Sequence, residues 1–480
     1  MLAQLVRLGV KSLHLYFQFF PLWWSLVMTG VIYEGVREVT RSRRVAGWTT
    51  LVFLLASDGA FWLTFFFPHG QGWDMASLDN GTDQFFNPPY VMAKVIFILA
   101  WVTLNHFWQT RHKRVLALLV GLLIPLTLFK VYWSVLFASG WCLVWLARAG
   151  RSWWRRGRMS SLWSELVAIV VVGIGSGLLL ASATTGQAAK MAFVPFLWPK
   201  LLVSSEHLGW DEWALRQQVY QQVPSWKRQT WDYVLLTLVA LIYVFGARLV
   251  GGWTSRQTRR YLSGRNYVFL VVPAVGWTFV GFNFLQGVGN YNSFNFLIIA
   301  AVALLIPLGV NCHVWWRTIG GKIFVIALLA SFLPRLAYNW SEYLGQSLDG
   351  HGRVVNCSEL ELLANLQKYT TWDDILLVNP DNDRVRAGSL YPALAGRRTY
   401  VSSQIVLETH DLKLPEREQA ARDVLHDTRL DIAFGLARDL GVDYVVLDDW
   451  DLMHENWEMP IASREAVWRS EAGAIIPINP

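Results

Sequence analysis

The feature that most constrains this chain is a series of long apolar runs, each bounded by loops of sharply different charge. The clearest is "VLALLVGLLIPLTLFKVYWSVLFASGWCLVWLA" (115–147), set between "RHKR" (111–114) and "RAGRSWWRRGR" (148–158). A run of about 20 apolar residues is long enough to cross a ~30 Å hydrocarbon core. Ten such runs are expected to be spans, at approximately 13–35, 45–67, 89–108, 114–130, 131–148, 162–182, 231–250, 266–286, 292–310 and 319–336. With 54% hydrophobic residues and 27 Trp in 480 positions, the composition excludes an ordinary soluble domain. The predicted class is an α-helical polytopic membrane protein.

The connecting segments set the expected orientation. Arg37 to Arg44, 111–114, 148–158, "RQTRRYLSGR" (256–265), and Arg317 with Lys322 are basic. Segments 68–88, 183–230 and 287–291 are acidic or mixed. Short loops rich in Lys and Arg stay cytoplasmic, and ten spans put every basic loop on one side. The same rule explains the basic residues without nucleic acid, which is not expected as a partner. Under this count the 33-residue stretch must be a tight hairpin of two short spans. Its single charge, Lys130, then lies at the outer tip rather than in mid-bilayer.

From Ala337 onward there are 13 Lys and Arg against 24 Asp and Glu; the remainder holds 29 against 11. A basic membrane part (1–336) and an acidic extracytoplasmic part (337–480) are therefore expected as separate domains. The acidic part reads as small and α/β. "SELELLANLQKYT" (358–370), "EREQAARDVLHD" (416–427) and "DIAFGLARDL" (431–440) have helical spacing. "DILLVNP" (374–380), "ALAGRRTYVSS" (393–403) and "GVDYVVLDD" (441–449) read as strands or turns into strands, and 465–478 as a terminal hairpin. Strands alternating with helices predict a partly parallel sheet. The opening residues do not form a signal peptide pattern. Cys142, Cys312 and Cys357 are too scattered for a disulfide framework or a CxxC metal pair.

Several motifs carry both a functional and an ordinary reading. "GIGSG" (173–177) resembles a dinucleotide fingerprint, but it sits in a Val, Ile and Leu run, where small residues serve close helix packing. "DND" (381–383) and "DWD" (449–451) resemble the metal-holding pairs of nucleotide-sugar transferases; as strand-end residues they are expected to be solvated turns. Sequons stand at Asn80, Asn339 and Asn356, all on the expected outer side. Asp58 is an intramembrane carboxylate in the outer half of span two, facing a cavity or a neighbouring helix. The loop at 68–89 carries His69, Asp74, Asp79 and Asp83: material for a general base at Asp74 and a divalent metal at Asp79 and Asp83, or simply a solvated loop. The Trp-rich segment 183–230, with Lys200 and Arg216, is either a lid over a lipid groove or an interfacial re-entrant loop. Lys130, among Phe129, Tyr132 and Trp133, either snorkels or meets a lipid phosphate.

"HLYFQFFP" (14–21), "FNPP" (86–89), "GLLIPLTLFKVY" (121–132), "ALAGRRTYVSS", "LGVDYVVLDD" (440–449) and "VWRSEAGAIIPI" (467–478) together resemble bacterial GT-C-type membrane glycosyltransferases. In architecture that family is similar to protein O-mannosyltransferases and lipid A aminoarabinose transferases. The resemblance implies a GT-C-like membrane domain in the plasma (inner) membrane and a polyprenyl-phosphate-linked sugar as donor, bound among membrane lipid. It also implies an acceptor attacking the anomeric carbon with inversion, a carboxylate base, and cations on the departing phosphate. The family's base lies in the first outer loop, after the first span. This chain is expected to begin after that point, which agrees with an outside N-terminus. Asp58 or Asp74 then takes the role of base, and Lys130, Lys200 and Arg216 contact the donor phosphate. Neither the sugar nor the acceptor, whether glycan, lipid or protein, is encoded in these motifs, and no cofactor is firmly implied. The alternative is a non-catalytic or truncated homologue: a lipid-binding scaffold, transporter or assembly factor whose outer domain binds a partner.

Overall fold

The computed structural model describes residues 20–56, 63, 88–154, 162–183, 191–202, 210–222, 225–286, 291–334, 337, 357–382, 395–401, 414–453 and 460–478. Two compact units emerge: Met1–Ala183 with Met191–Gln286 and Asn290–Leu344, and Gly345–Pro480 with the short segments Thr184–Lys190 and Gly287–Gly289.

The first unit is helical. A helix lies within or across each of the ten apolar runs: α1 (Phe20–Thr40), α2 (Arg43–Leu55), α3 (Pro88–Thr110), α4 (Lys113–Phe129), α5 (Val131–Trp154), α6 (Trp163–Ala183), α9 (Trp226–Phe245), α10 (Gly264–Asn283), α11 (Tyr291–Trp315) and α12 (Ile319–Ala330). Among the described residues, five of them are long and apolar enough to cross a membrane: those containing Val91–Thr110, Val131–Trp154, Trp226–Gly252, Gly264–Asn283 and Asn295–Trp315. Between α6 and α9 the chain forms β1 (Met191–Phe193), α7 (Leu197–Leu202) and α8 (Asp211–Gln222), and β1 pairs antiparallel with β2 (Phe284–Gln286).

The centre of this unit is α11, where Leu297, Ala300, Ala301, Ala303 and Leu308 are fully buried. Small residues let backbones approach closely in an apolar bundle. A Cβ at Gly309 would collide with the backbone and side chain of Thr49 on α2, and one at Gly140 on α5 would meet the Phe269 carbonyl of α10. "GIGSG" does not follow this pattern. A Cβ at Gly173 or Gly175 would meet nothing, so close packing is not what those glycines serve. Ser176 of the motif does pack, with its hydroxyl 3.1 Å from that of Thr127 and 3.0 Å from that of Ser134.

Those hydroxyls also define the turn at Lys130. Thr127 and Ser134 lie 2.9 Å apart, oxygen to oxygen. In an uninterrupted helix, positions seven apart are separated by ~10 Å along the axis, so the chain must bend sharply between them. Lys130 is the extended residue that does this, with φ −159° and ψ 100°, between the end of α4 and the start of α5.

The ends of these helices hold a buried ion cluster. Glu165, in the first turn of α6, is fully buried. Its carboxylate accepts from Arg148 at 2.5 Å and from the Trp108 indole at 3.0 Å, and pairs with Arg111 at 3.2 Å. A buried carboxylate persists only where such partners replace its water.

The second unit carries a five-stranded sheet ordered β4 (Arg398–Thr399), β3 (Ile375–Leu377), β5 (Tyr444–Asp448), β7 (Gly473–Pro477), β6 (Trp468–Ser470). The first three are mutually parallel; β7 and β6 are antiparallel additions forming the terminal hairpin. Because side chains alternate along a strand, β5 supplies both faces. Val446 joins Leu362, Leu363 and Leu366 of α13 (Cys357–Tyr369), whereas Val445 and Leu447 join residues of α14 (Leu414–His426) and α15 (Leu430–Asp439). Gly441 ends α15 at φ 71°, and the next amide, Val442 N–H, reaches Ala437 O at 3.0 Å. That left-handed cap is the reason for a glycine there.

Candidate functional site

The residues between β1 and α9 build the best-formed site. Phe196 holds φ 57°, a conformation costing of order 1 kcal/mol in a non-glycine residue. Asn283 at the end of α10 stabilises it: its side-chain oxygen accepts Phe196 N–H at 2.9 Å, and its carbonyl accepts Val194 N–H at 2.8 Å. The bent backbone lays the Phe196 ring on Tyr233, with centroids 4.5 Å apart and planes at 20°. These two rings line an apolar groove of about 370 Å³, completed by Thr230, Val234, Thr237 and Leu238 of α9. Buried Trp198 and Leu202 anchor α7, whose exposed Lys200 places its ammonium 5.5 Å from the Tyr233 ring centre. A cation therefore stands against one of the rings that line the apolar groove.

The opposite face of the same α9 turns is polar. Leu215, Arg216, Val219 and Tyr220 of α8, with Arg228, Trp231 and Asp232 of α9, line an open cleft of about 510 Å³. Asp232 is buried, receives the Tyr220 hydroxyl at 2.8 Å and pairs with Arg216 at 3.4 Å. Arg216 also pairs with Glu212 at 3.6 Å. The hydrogen bond to Asp232, followed by burial, raises the Tyr220 phenol above its ordinary pKa. Lys200 and Arg216 thus share one end of α9, on different faces, and Arg216 already serves two carboxylates. Lys130 belongs to another junction, between α4 and α5. Asp58, Asp74, Asp79 and Asp83 lie outside the described residues, as do His69 and the sequons at Asn80, Asn339 and Asn356.

Asp232 was not singled out by sequence. It occurs in "WKRQTWDYVLL", where a carboxylate just inside an apolar run looks like a helix-end residue. A signal was present in Arg216 and Tyr220, four apart on one face of α8, but only the fold brings that face to α9.

The strand-end acids of the second unit differ from expectation. Asp448, Asp449 and Asp451 are buried, not solvated, as are Asn379 and Asn382. The carboxyl ends of parallel β3 and β5 bring the two segments together. Asn379 donates to Asp451 at 2.8 Å and Asn382 to Asp448 at 2.9 Å. The Asp448 and Asp451 amides each donate to the other's carboxylate, at 3.1 and 3.0 Å. Burial, and then the neighbouring Asp448 charge, push the Asp451 carboxyl up to about 7. Asp381 faces outward and binds Arg422 through two contacts of 2.9 Å. Among the described residues no group of three or more His, Cys, Asp or Glu could hold a metal ion.

No protein-family model matches the sequence, and no curated protein matches it. Among solved structures the chain is similar to the archaeal oligosaccharyltransferase AglB from Archaeoglobus fulgidus in complex with an inhibitory peptide and a dolichol-phosphate. That similarity has a TM-score of 0.43 and 13% identity, over 92% of this chain and 59% of the other. A second is the Archaeoglobus fulgidus oligosaccharyltransferase tethered to an acceptor peptide containing the NVT sequon, with a TM-score of 0.40 and 13% identity, over 92% and 58%. The chain therefore spans less than two thirds of the length of these solved chains.

Proposed function

We propose that this chain is a membrane glycosyltransferase that draws its sugar from a polyprenyl-phosphate carrier. The observation carrying this reading is the Lys200 ammonium set against Tyr233, a ring of the groove also lined by Phe196, Val234 and Leu238. A polyprenyl phosphate is an apolar tail ending in an anion, and it calls for a dry groove ending in a cation. The reaction class comes from the resemblance of the sequence motifs to GT-C-type enzymes. In this mechanism the acceptor hydroxyl oxygen attacks the anomeric carbon from the face opposite the phosphate. The bond from that carbon to the phosphate oxygen breaks, and its electron pair leaves on the polyprenyl phosphate. The hydroxyl proton passes to a carboxylate, Asp58 or Asp74. Lys200 and Lys130 offset charge growing on the departing phosphate. The sheet-bearing unit lies outside the plasma membrane in this scheme.

The test is photo-crosslinking with a polyprenyl-phosphate analogue in nanodiscs. Lys200→Ala is expected to lower labelling about tenfold or more, the loss typical of one charge-assisted contact. Undiminished labelling of the folded variant would overturn the assignment. Lys130→Ala is expected to abolish transfer while leaving the protein folded; full turnover would remove Lys130 from the mechanism. A second reading, a lipid-binding scaffold, transporter or assembly factor, draws on Arg216 being committed to Asp232 and Glu212. Specific labelling without turnover on any supplied acceptor would select it.

A further inference from the structure

A second cleft lies at the basic-loop end of the helical unit, where the antiparallel seam of α5 and α10 opens. Its volume is about 420 Å³, and its walls are Val144, Ala147, Arg148 and Arg151 of α5, Arg259 of the preceding helical turn, and Ser263, Gly264, Arg265, Tyr267 and Val268 at the start of α10. Four arginines converge there without one carboxylate in the lining. The buried Glu165 pairs with Arg148 and Arg111, and among the described residues no carboxylate pairs with Arg151, Arg259 or Arg265. The Arg265 guanidinium lies 5.4 Å from the centre of the Trp108 ring.

The positive-inside rule accounts for basic residues on this side, but it places no demand on where in a loop they stand. Convergence on a concave, carboxylate-free cleft is a separate property, and it favours an anion there. The wall below the cleft indicates which kind. From Val268, the exposed residues Val272, Val275 and Phe279 continue at helical spacing along α10. The eleven steps from Val268 to Phe279 cover ~16 Å at 1.5 Å per residue, about one leaflet of a ~30 Å core. Exposed Trp153 and Trp154 follow Arg151 at the end of α5, and tryptophans favour the headgroup level. A charged pocket continuous with a leaflet-long apolar track matches a phospholipid more closely than a free anion.

We propose that this cleft binds the headgroup of an anionic phospholipid from the leaflet facing the basic loops, with its acyl chains along the Val268–Phe279 face of α10. This site is independent of the groove at Lys200, and either can fail without the other. The test is native mass spectrometry and thermal-shift titration of the whole protein with phosphatidylglycerol, cardiolipin and phosphatidylcholine, and with inorganic phosphate and pyrophosphate as soluble probes. The key variant is Arg151→Gln with Arg259→Gln. Both side chains are exposed, and Arg148 is left intact so that Glu165 keeps its partner. The control, Arg256→Gln with Arg260→Gln, removes the same amount of charge from the loop that carries Arg259, outside the cleft.

Both variants lose the diffuse attraction of two basic residues near a membrane surface. The cleft variant also loses two direct charge-assisted contacts, so its retention of anionic lipid is expected to fall about thirty-fold further than that of the control, and phosphatidylcholine should not be retained. Equal losses in both variants would overturn the proposal in favour of diffuse attraction to the loops. Saturation by soluble phosphate, with no further gain from lipid, would overturn the lipid assignment. Unchanged binding in the cleft variant would remove the site.

Discussion

The two units each bury carboxylates, and they stabilise them in opposite ways. In the helical unit, Glu165 is held by two guanidinium groups and an indole. In the sheet unit, Asp448 and Asp451 are surrounded by the Asn379 and Asn382 amides and by each other's backbone. None of these partners is a cation, and the Asp451 carboxyl instead holds its proton to about pH 7. The difference follows from what each region has to offer. The basic loops deliver arginines to the helix ends, whereas the acidic unit meets its own carboxylates where parallel strands end. Opposite charge suits a fixed joint; amides around a carboxyl that keeps its proton leave a site whose charge depends on pH.

The contrast breaks most sharply at Glu165. Glu165→Ala would leave the half-buried Arg148 beside Arg111 with no anion between them. A loss of about 3–5 kcal/mol is expected, the usual result of removing one partner of a buried pair. Detergent-solubilised melting would register it, and a shift no larger than that of surface substitutions would show that the joint carries no stability.

Asp451 sharpens the comparison through pH. Its folded pKa is raised from 3.8 to about 7, so between those values the folded chain retains a proton that the unfolded chain releases. Its contribution to stability is therefore complete below pH 3.8 and is lost as the pH rises through about 7. Within that window stability should fall by up to about 1.4 kcal/mol per pH unit. Hydrogen exchange of the β5 amides, corrected for intrinsic rates, would follow the decline. Asp451→Asn should flatten it, and an unflattened profile would assign the dependence to another group.

The smallest effect is expected at Arg422. Its paired contacts with Asp381 are part-exposed, and the hydrogen bond to Asp381, the first cause, raises the Arg422 pKa. Arg422→Ala should cost about 1 kcal/mol or less, declining with added salt. A salt-independent loss of several kcal/mol would mean that the pair behaves like Glu165 rather than like a surface bridge.

Much of the helical pattern was legible in the apolar runs. The break at Lys130 followed from a count: 33 residues between two basic clusters must cross an even number of times. The hydroxyl contact between Thr127 and Ser134 shows that the helix does bend at that point. The strands of the sheet unit also fall within the expected segments, because short apolar runs between turn residues leave few alternatives. The sites were far less legible. "DND" and "DWD" read as solvated turns because nothing local reveals that β3 and β5 are parallel neighbours. Lys200 and Arg216 looked equivalent along the chain; the angular positions of Asp232 and Tyr233 on α9 separate them.

By itself, the sequence determined where apolar helices lie, the division between a basic and an acidic region, and the place where the chain turns at Lys130. These depend on period, composition and local backbone preference, which need no partner. Only the tertiary structure decided which charges are neutralised and which converge. Glu165 meets Arg111 and Arg148, Asp232 meets Arg216, and four arginines gather around the start of α10, because helices distant in sequence pack side by side. Electrostatic interactions fall off with separation in space, and separation along the chain does not report it.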